Sequence, residues 1–253
     1  MNDITVQLSY GAEKETTTTQ RHPLGTLGVL PDGRKFRYAF SGEAIGAGQV
    51  VMQKMGVANH DMDLVVPAAI AVGAMTMTVT LGATAATVDQ YADGYIYVND
   101  GAGEGHIYRI KSAGTGGGGH AAVSSGGAIT VNLADDGGVD EALDTNSLCG
   151  LMENPYKDCE IWDADDVDGP VLGVAPCEVA NDRYFWCQTS GNAAVLIDNT
   201  TVVLGSGVGP SVATDGAATL FDTSGAADRQ SIGTVALIVA VSTDYGIVKL
   251  TIE

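Results

Sequence analysis

Cations are scarce in this sequence: twelve Lys and Arg stand against thirty-one Asp and Glu, a formal net charge of −19 over 253 residues. So few bases cannot build the broad positive surface that a phosphate backbone requires, which argues against nucleic acid as a partner. Long apolar runs are missing too. The longest, residues 64–75 and 233–241, fall short of the roughly 18 to 20 residues of a membrane span, so no membrane partner is expected. The opening Met-Asn-Asp-Ile-Thr-Val is polar and acidic, without the basic segment and apolar run of a signal peptide, and folding in a cytoplasm is expected. Cys149, Cys159, Cys177 and Cys187 lack Cys-x-x-Cys spacing. In a reducing compartment that disfavours both zinc and disulfides and leaves small buried thiols. Only 7 prolines accompany 34 glycines, which excludes a collagen-like repeat, and 45% hydrophobic against 17% charged residues excludes a disordered acidic chain.

Catalytic signatures are absent as well. There are four histidines, His22, His60, His106 and His120, and no Ser in a Gly-x-Ser-x-Gly elbow. Thirty-one acids offer too many carboxylate pairs for any one to indicate a glycosidase. The glycines of residues 114–119 are not followed by the Lys-Thr or helix-opening context of a phosphate cradle. Two acidic groups remain as weak metal candidates. Asp163, Asp165, Asp166 and Asp168 form the densest carboxylate cluster, but a calcium loop opened at Asp163 meets Val167 at its fifth position, Asp168 at its sixth and Val174 at its twelfth, where an oxygen ligand, glycine and glutamate belong. His60, Asp61 and Asp63 read as exposed loop residues. The chain is therefore read as neither an enzyme nor a cofactor carrier.

What is present is strand and turn. No helical period runs beyond one or two turns. Residues 75–81 alternate Met75, Met77, Val79 and Leu81 with Thr76, Thr78 and Thr80, the pattern of a half-buried strand. Residues 25–30 and 34–40 flank Pro31-Asp-Gly33, a hairpin in which Arg34, Phe36 and Tyr38 share one face and Lys35 and Arg37 the other. Short strands are also expected at 183–188, 193–197 and 201–204, separated by turns, and a terminal hairpin is expected to bend near Asp244-Tyr-Gly246. These add up to an all-β fold of small β-barrel or sandwich domains with little helix. Residues 1–23, polar and carrying Thr16 to Thr19, read as an extended N-terminal arm that orders against a partner. The expected organisation is that arm, a main β domain over 24–61 plus 151–253, and an inserted β-rich module over 62–150.

Charge is distributed unevenly over this plan. Residues 1–54 hold six of the twelve bases against five acids, and the remainder six bases against twenty-six acids. A chain with its cations in one arm and first hairpin looks built to attach at that end.

The phrases Leu24-Gly-Thr-Leu-Gly-Val-Leu-Pro-Asp-Gly-Arg-Lys-Phe-Arg-Tyr-Ala39, Tyr97-Val-Asn-Asp-Gly-Ala-Gly-Glu-Gly-His-Ile-Tyr-Arg-Ile-Lys111, Tyr184-Phe-Trp-Cys-Gln-Thr189 and Asp244-Tyr-Gly-Ile-Val-Lys-Leu250 resemble virion proteins of marine tailed bacteriophages, and among these the capsid decoration, or cement, proteins. The resemblance implies a structural protein that binds the outer surface of a tailed-phage capsid and stabilises the expanded shell. Its implied partners are the major capsid protein and itself, as a homotrimer, and its implied location is the virion surface after synthesis in the host cytoplasm. Ile4, Val6 and Leu8 would then set the register of an arm strand added to a capsid sheet edge, and Arg21, Arg34, Lys35 and Arg37 would pair with acidic capsid surface. Deleting residues 1–20 is expected on this view to leave a folded protein that no longer binds. A tail, fibre or other receptor-facing virion protein is the alternative, binding sugar or host surface through exposed Tyr and Trp, and a soluble enzyme or small-ligand protein with a concave pocket of convergent polar groups is the third reading.

Overall fold

In the computed structural model the described residues are 5–113, 118–165, 169–198, 203–221, 230–237 and 243–253. The chain is nearly all β, with 40% strand and 1% helix, the latter a single 3-10 turn at Ala12–Lys14. Among the described residues no helix is long and apolar enough to cross a membrane. Two compact units divide the chain: residues 1–55 with 155–253, and residues 56–154. The first unit begins with β1 (Val6–Gln7), β2 (Leu27–Val29), β3 (Lys35–Phe40) and β4 (Val50–Met52). The inserted unit holds β5 (Leu64–Val65), β6 (Thr76–Thr80), β7 (Tyr95–Asp100), β8 (Ile107–Arg109), β9 (Ala128–Asn132) and β10 (Leu148–Met152). The first unit resumes with β11 (Glu160–Ile161), β12 (Val171–Val174), β13 (Tyr184–Ile197), β14 (Gly207–Pro210), β15 (Ala218–Leu220), β16 (Gly233–Leu237) and β17 (Asp244–Thr251).

A closed barrel organises the first unit. Its ring runs β13–β15–β14–β16–β17 and back to β13, so these strands leave no sheet edge open within the ring. Inward positions follow the period of two expected of strands: Ala193, Val195 and Ile197 of β13 and Val248 and Leu250 of β17 are buried with Val208, Ala218 and Val235. β13 is the long element that links this barrel to the rest of the unit. Its first half pairs with β3, from Tyr184 opposite Phe40 to Ser190 opposite Lys35, and its second half with β17. The expected pair of strands at 183–188 and 193–197 is thus one strand. What reads as a turn, Ser190-Gly-Asn192, is a register shift between Gln188 and Ser190 with Gly191 at φ +87°, a bulge that bends the strand without ending it. Asp244, expected at a bend, is the first residue of β17.

The inserted unit carries one core of its own. Its four-stranded sheet has the order β5–β10–β7–β8, and β6 pairs with β9. Met77 and Val79 are buried with Ile129 and Val131, while Thr78 and Thr130 meet through their hydroxyls at 2.8 Å on the other face. This is the alternation read from the sequence.

Its limits lie at residues 56 and 154 because side chains beyond the expected 62–150 are anchored inside it. Asn154 donates from Nδ2 to the Asp93 carbonyl at 2.8 Å, and the His60 carbonyl accepts from the Leu151 N–H at 2.7 Å. His60, expected on an exposed loop, is fully buried. Its Nε2–H donates to the Thr84 carbonyl at 2.9 Å and its Nδ1 shares a hydrogen bond with the Tyr91 hydroxyl. The Tyr91 N–H in turn donates to Nε2 of buried His120 at 3.0 Å. Burial, reinforced by Glu153 and Asp61, pushes the Tyr91 phenol far above its ordinary pKa, so it stays a donor. Tyr91→Phe leaves buried Nδ1 of His60 without its hydroxyl partner. We expect a loss of about 2 kcal/mol, measured as a lower midpoint in near-UV circular dichroism melts; an unchanged midpoint would show that the bond contributes nothing.

Candidate functional site

The N-terminal segment is not a free arm. β1 pairs in parallel with β2, Val6 opposite Gly28 and Gln7 opposite Val29, and Thr17 exchanges backbone bonds with Tyr184 at 2.8 and 3.0 Å. The cause is an apolar face that needs a cover. Phe36 and Tyr38 of β3 and Trp186 of β13 form a cluster that Leu8, Leu24 and Leu30 complete, and Leu8 is only 7% exposed there. Gly28 permits the approach, since a Cβ at that position would sit 2.8 Å from both Leu8 Cδ1 and Trp186 Cζ3. Val6 and Leu8, read as contacts for a partner, therefore serve the chain's own fold; Ile4 lies outside the described residues. Deleting residues 1–20 would uncover this cluster, which corrects the expectation of an intact truncated protein.

The cations are similarly engaged. Arg21 pairs with Glu15 at 3.2 Å. Arg34 holds Asp32 at 2.8 Å and reaches Glu13 at 3.8 Å. Arg37 donates to the Glu253 carboxylate and, at 2.7 Å, to the Gly25 carbonyl. Lys35 alone of the four expected docking cations has no ion-pair partner among the described residues. It stands on the solvent face of the β1–β2–β3 ribbon in a row with Val29 and Gln7. β1 ends this sheet: among the described residues no strand pairs with its outer side.

His22 closes the arm over the aromatic cluster, with ring centroids 5.2 Å from Tyr38 and 5.5 Å from Trp186. Burial, then the neighbouring Arg21 charge, lowers its pKa below 6.5. The folded form thus holds its proton less tightly than the unfolded chain, and stability rises with pH across this range. Its contribution is complete above pH 6.5 and is lost as pH falls through 6.5 towards the lower folded value. Amide exchange of residues 17–24, corrected for intrinsic rate, is expected to quicken below pH 6.5 in the wild type and not in His22→Gln; equal behaviour would remove His22 as the cause.

A second feature of this unit is an open groove of about 380 Å³. Lys14 and Arg34 stand on it together with Gln188, Asn192 and Tyr245. The bulge of β13 shapes it: Gln188 is buried, and its Nε2 donates across the bulge to the carbonyls of Ser190 at 3.1 Å and Asn192 at 3.0 Å. Gly191 and Gly48 make room for the walls. A Cβ on Gly191 would come within 2.8 Å of Arg34 Cγ, and one on Gly48, at φ +74°, within 2.7 Å of the Tyr245 ring. Sequence reasoning missed this site because its residues come from six separate segments; the two glycines were its local signal.

Among the described residues the acidic candidates do not converge. Asp163 accepts the Asp165 N–H at 2.8 Å in a side-chain-capped turn, and Asp166 and Asp168 lie outside the described residues. Asp63 accepts from Asn99 Nδ2 at 2.8 Å, away from the buried ring of His60. Among the described residues no three His, Cys, Asp or Glu side chains are grouped to hold a metal. The four thiols are free, three of them buried; burial raises Cys149 to about 11 and lifts Cys159, Cys177 and Cys187 as well, so none is a ready nucleophile. No family model, curated protein or solved structure matches the chain.

Proposed function

We propose that this protein is a virion structural protein that binds the outer surface of a tailed-phage capsid and stabilises the expanded shell, assembling as a homotrimer. The observation that carries this reading is the open outer edge of β1 beside the solvent face that bears Lys35. An exposed strand edge offers backbone donors and acceptors in register, and an extended capsid segment can pair with it as an added strand. The mode of attachment differs from an inserted arm: the folded N-terminal segment offers its edge while Leu8 stays in its own core. Lys35 supplies an uncompensated positive charge to an acidic capsid surface. The inserted unit, with two bases against twelve acids over residues 56–154, suits a solvated surface. Many copies around lattice axes make modest single contacts sufficient.

A receptor-facing tail or fibre protein remains the second reading, favoured by the groove and its exposed Tyr245. The tryptophans do not support it, because Trp162 and Trp186 are both buried. Co-sedimentation with expanded, undecorated heads of the phage that encodes the chain separates the two. Saturation at a copy number that matches lattice axes, weakened in Lys35→Glu, is the expected result. No binding by folded protein would overturn the capsid reading and leave the receptor-facing one.

A further inference from the structure

We propose that the groove at the bulge of β13 binds an acidic saccharide, with a sugar carboxylate at Lys14 and Arg34, hydroxyls at the Gln188 and Asn192 amides, and an apolar sugar face on Tyr245. Its volume of about 380 Å³ falls within the roughly 300 to 1,000 Å³ of small-ligand sites. The inference is independent of the capsid reading.

Charge comes first. In a chain of net charge −19, this groove is lined by Lys14 and Arg34, of which Lys14 carries the uncompensated charge. Lys14 has no ion-pair partner among the described residues. Arg34 is compensated and pinned by two carboxylates, so it offers a placed hydrogen-bond donor rather than net charge. Asp32 holds its Nε at 2.8 Å and its backbone N–H at 3.1 Å, and buried Glu13 stands 3.8 Å from Nη2. Nη1 then has no acceptor among the described residues, and a guanidinium held in this way meets a carboxylate with little loss of side-chain freedom.

Within a mainly apolar lining the groove holds one preset polar group. Gln188 is 2% exposed; its Nε2 bonds fix the amide plane, and Oε1 accepts no hydrogen bond from any described residue. Asn192, exposed at the bulge, adds a second amide with donor and acceptor sides. Gln188 Oε1 as an acceptor and Asn192 with both donor and acceptor sides match the mixed character of vicinal hydroxyls. Tyr245 is 56% exposed and seated against Gly48, so part of its ring is free to cover the C–H face of a pyranose.

A sugar fits better than an acidic peptide because the groove has little backbone to offer. Gly48 already donates to the Ala175 carbonyl at 2.7 Å and accepts from Leu196 at 2.9 Å, Ala175 donates to Gln49 at 3.0 Å, and Asn192 and Ala194 are paired with Lys249 and Ile247. Strand addition, the usual way to hold an extended peptide, finds these backbone groups already taken. Recognition falls to side chains.

The test is calorimetric titration of the full chain with trigalacturonate, its uncharged counterpart galactotriose, and pentaglutamate. We expect trigalacturonate to bind at least tenfold more tightly than either of the others. Lys14→Ala should lower that affinity about tenfold and leave galactotriose unchanged, whereas Tyr245→Ala should weaken both sugars. Both side chains are exposed, and wild-type melting midpoints would verify that the variants are folded; Asn192→Ala provides a further variant at the bulge. Absence of trigalacturonate binding, equal binding of galactotriose, equal binding of pentaglutamate, or full affinity in both Lys14→Ala and Tyr245→Ala would each overturn the assignment. Capsid co-sedimentation would be unaffected by any of these outcomes.

Discussion

Replacing Leu8 with alanine is expected to lower the stability of the unit formed by residues 1–55 and 155–253 by about 3 kcal/mol and to shift tryptophan emission to the red. Leu8 is almost fully buried against Trp186, with Leu24, Leu30, Phe36 and Tyr38 around it. Truncation removes its contacts and leaves a void that the neighbours cannot fill. Gly28, which faces both Leu8 and Trp186, has no side chain to move into the gap, and Phe36 and Tyr38 are held by the pairing of β3 with β13. Water then reaches the indole of Trp186. The other tryptophan, Trp162, belongs to a different cluster and donates from Nε1 to the Ser211 carbonyl at 2.7 Å, so the change in emission reports the arm. Chemical denaturation followed by fluorescence gives both quantities. A Leu8→Ala protein with wild-type midpoint and emission would show that the N-terminal segment does not seal this face, and would restore the free arm.

The arm was hard to read for a definite physical reason. Its sequence between Ser9 and Gln20 is polar, and composition weighs the segment as a whole, whereas its docking depends on Leu8 and Leu24 at its two ends. Pairing of the cations was illegible too: Arg37 finds Glu253 from the opposite end of the chain, and no local pattern encodes a contact that distant. What was legible was local. The hairpin around Pro31-Asp-Gly33 forms as expected, with Gly33 at φ +87° and the Leu30 N–H donating to the Arg34 carbonyl at 3.0 Å. The alternation at Thr76–Thr80 and Ala128–Asn132 sorts buried from exposed side chains. The single strand β13 fell between these cases. Ser190-Gly-Asn192 carries the composition of a turn, and only the partners on both halves, β3 and β17, decide that the chain continues. The groove depends on that same bulge, so one misread tripeptide hid both the strand and the site.

Replacing Gly150 with alanine is expected to destabilise the inserted unit by about 3 kcal/mol, at the upper end of what overpacking usually costs. Gly150 is the centre of β10 and stands opposite Tyr97 of β7. The Tyr97 ring lies across the glycine, and its hydroxyl donates to the Asp61 carbonyl at 2.6 Å. A Cβ on residue 150 would fall inside van der Waals contact with both that carbonyl oxygen and the ring. Neither obstacle is a flexible side-chain end. The carbonyl is backbone, and the ring is tied down at its far end by the bond to it, so relief requires the Asp61 segment to leave β10 or the β7–β10 ladder to part. An aromatic laid over a cross-strand glycine is a known device for filling the space that glycine leaves, and it works only while that space is empty. The pair explains why Gly150 can sit in a strand centre, where a missing side chain ordinarily weakens packing. Amide exchange of residues 96–98 and 148–152 is expected to accelerate in Gly150→Ala while emission from Trp162 and Trp186, both in the other unit, stays at its wild-type wavelength. Tyr97→Phe provides the contrast: it removes the hydroxyl bond and keeps the ring, and about 1 kcal/mol is the expected loss. Gly150→Ala with unaltered exchange would mean that the ring and the Asp61 backbone yield freely, and that the Tyr97–Gly150 pair does not fix this part of the sheet.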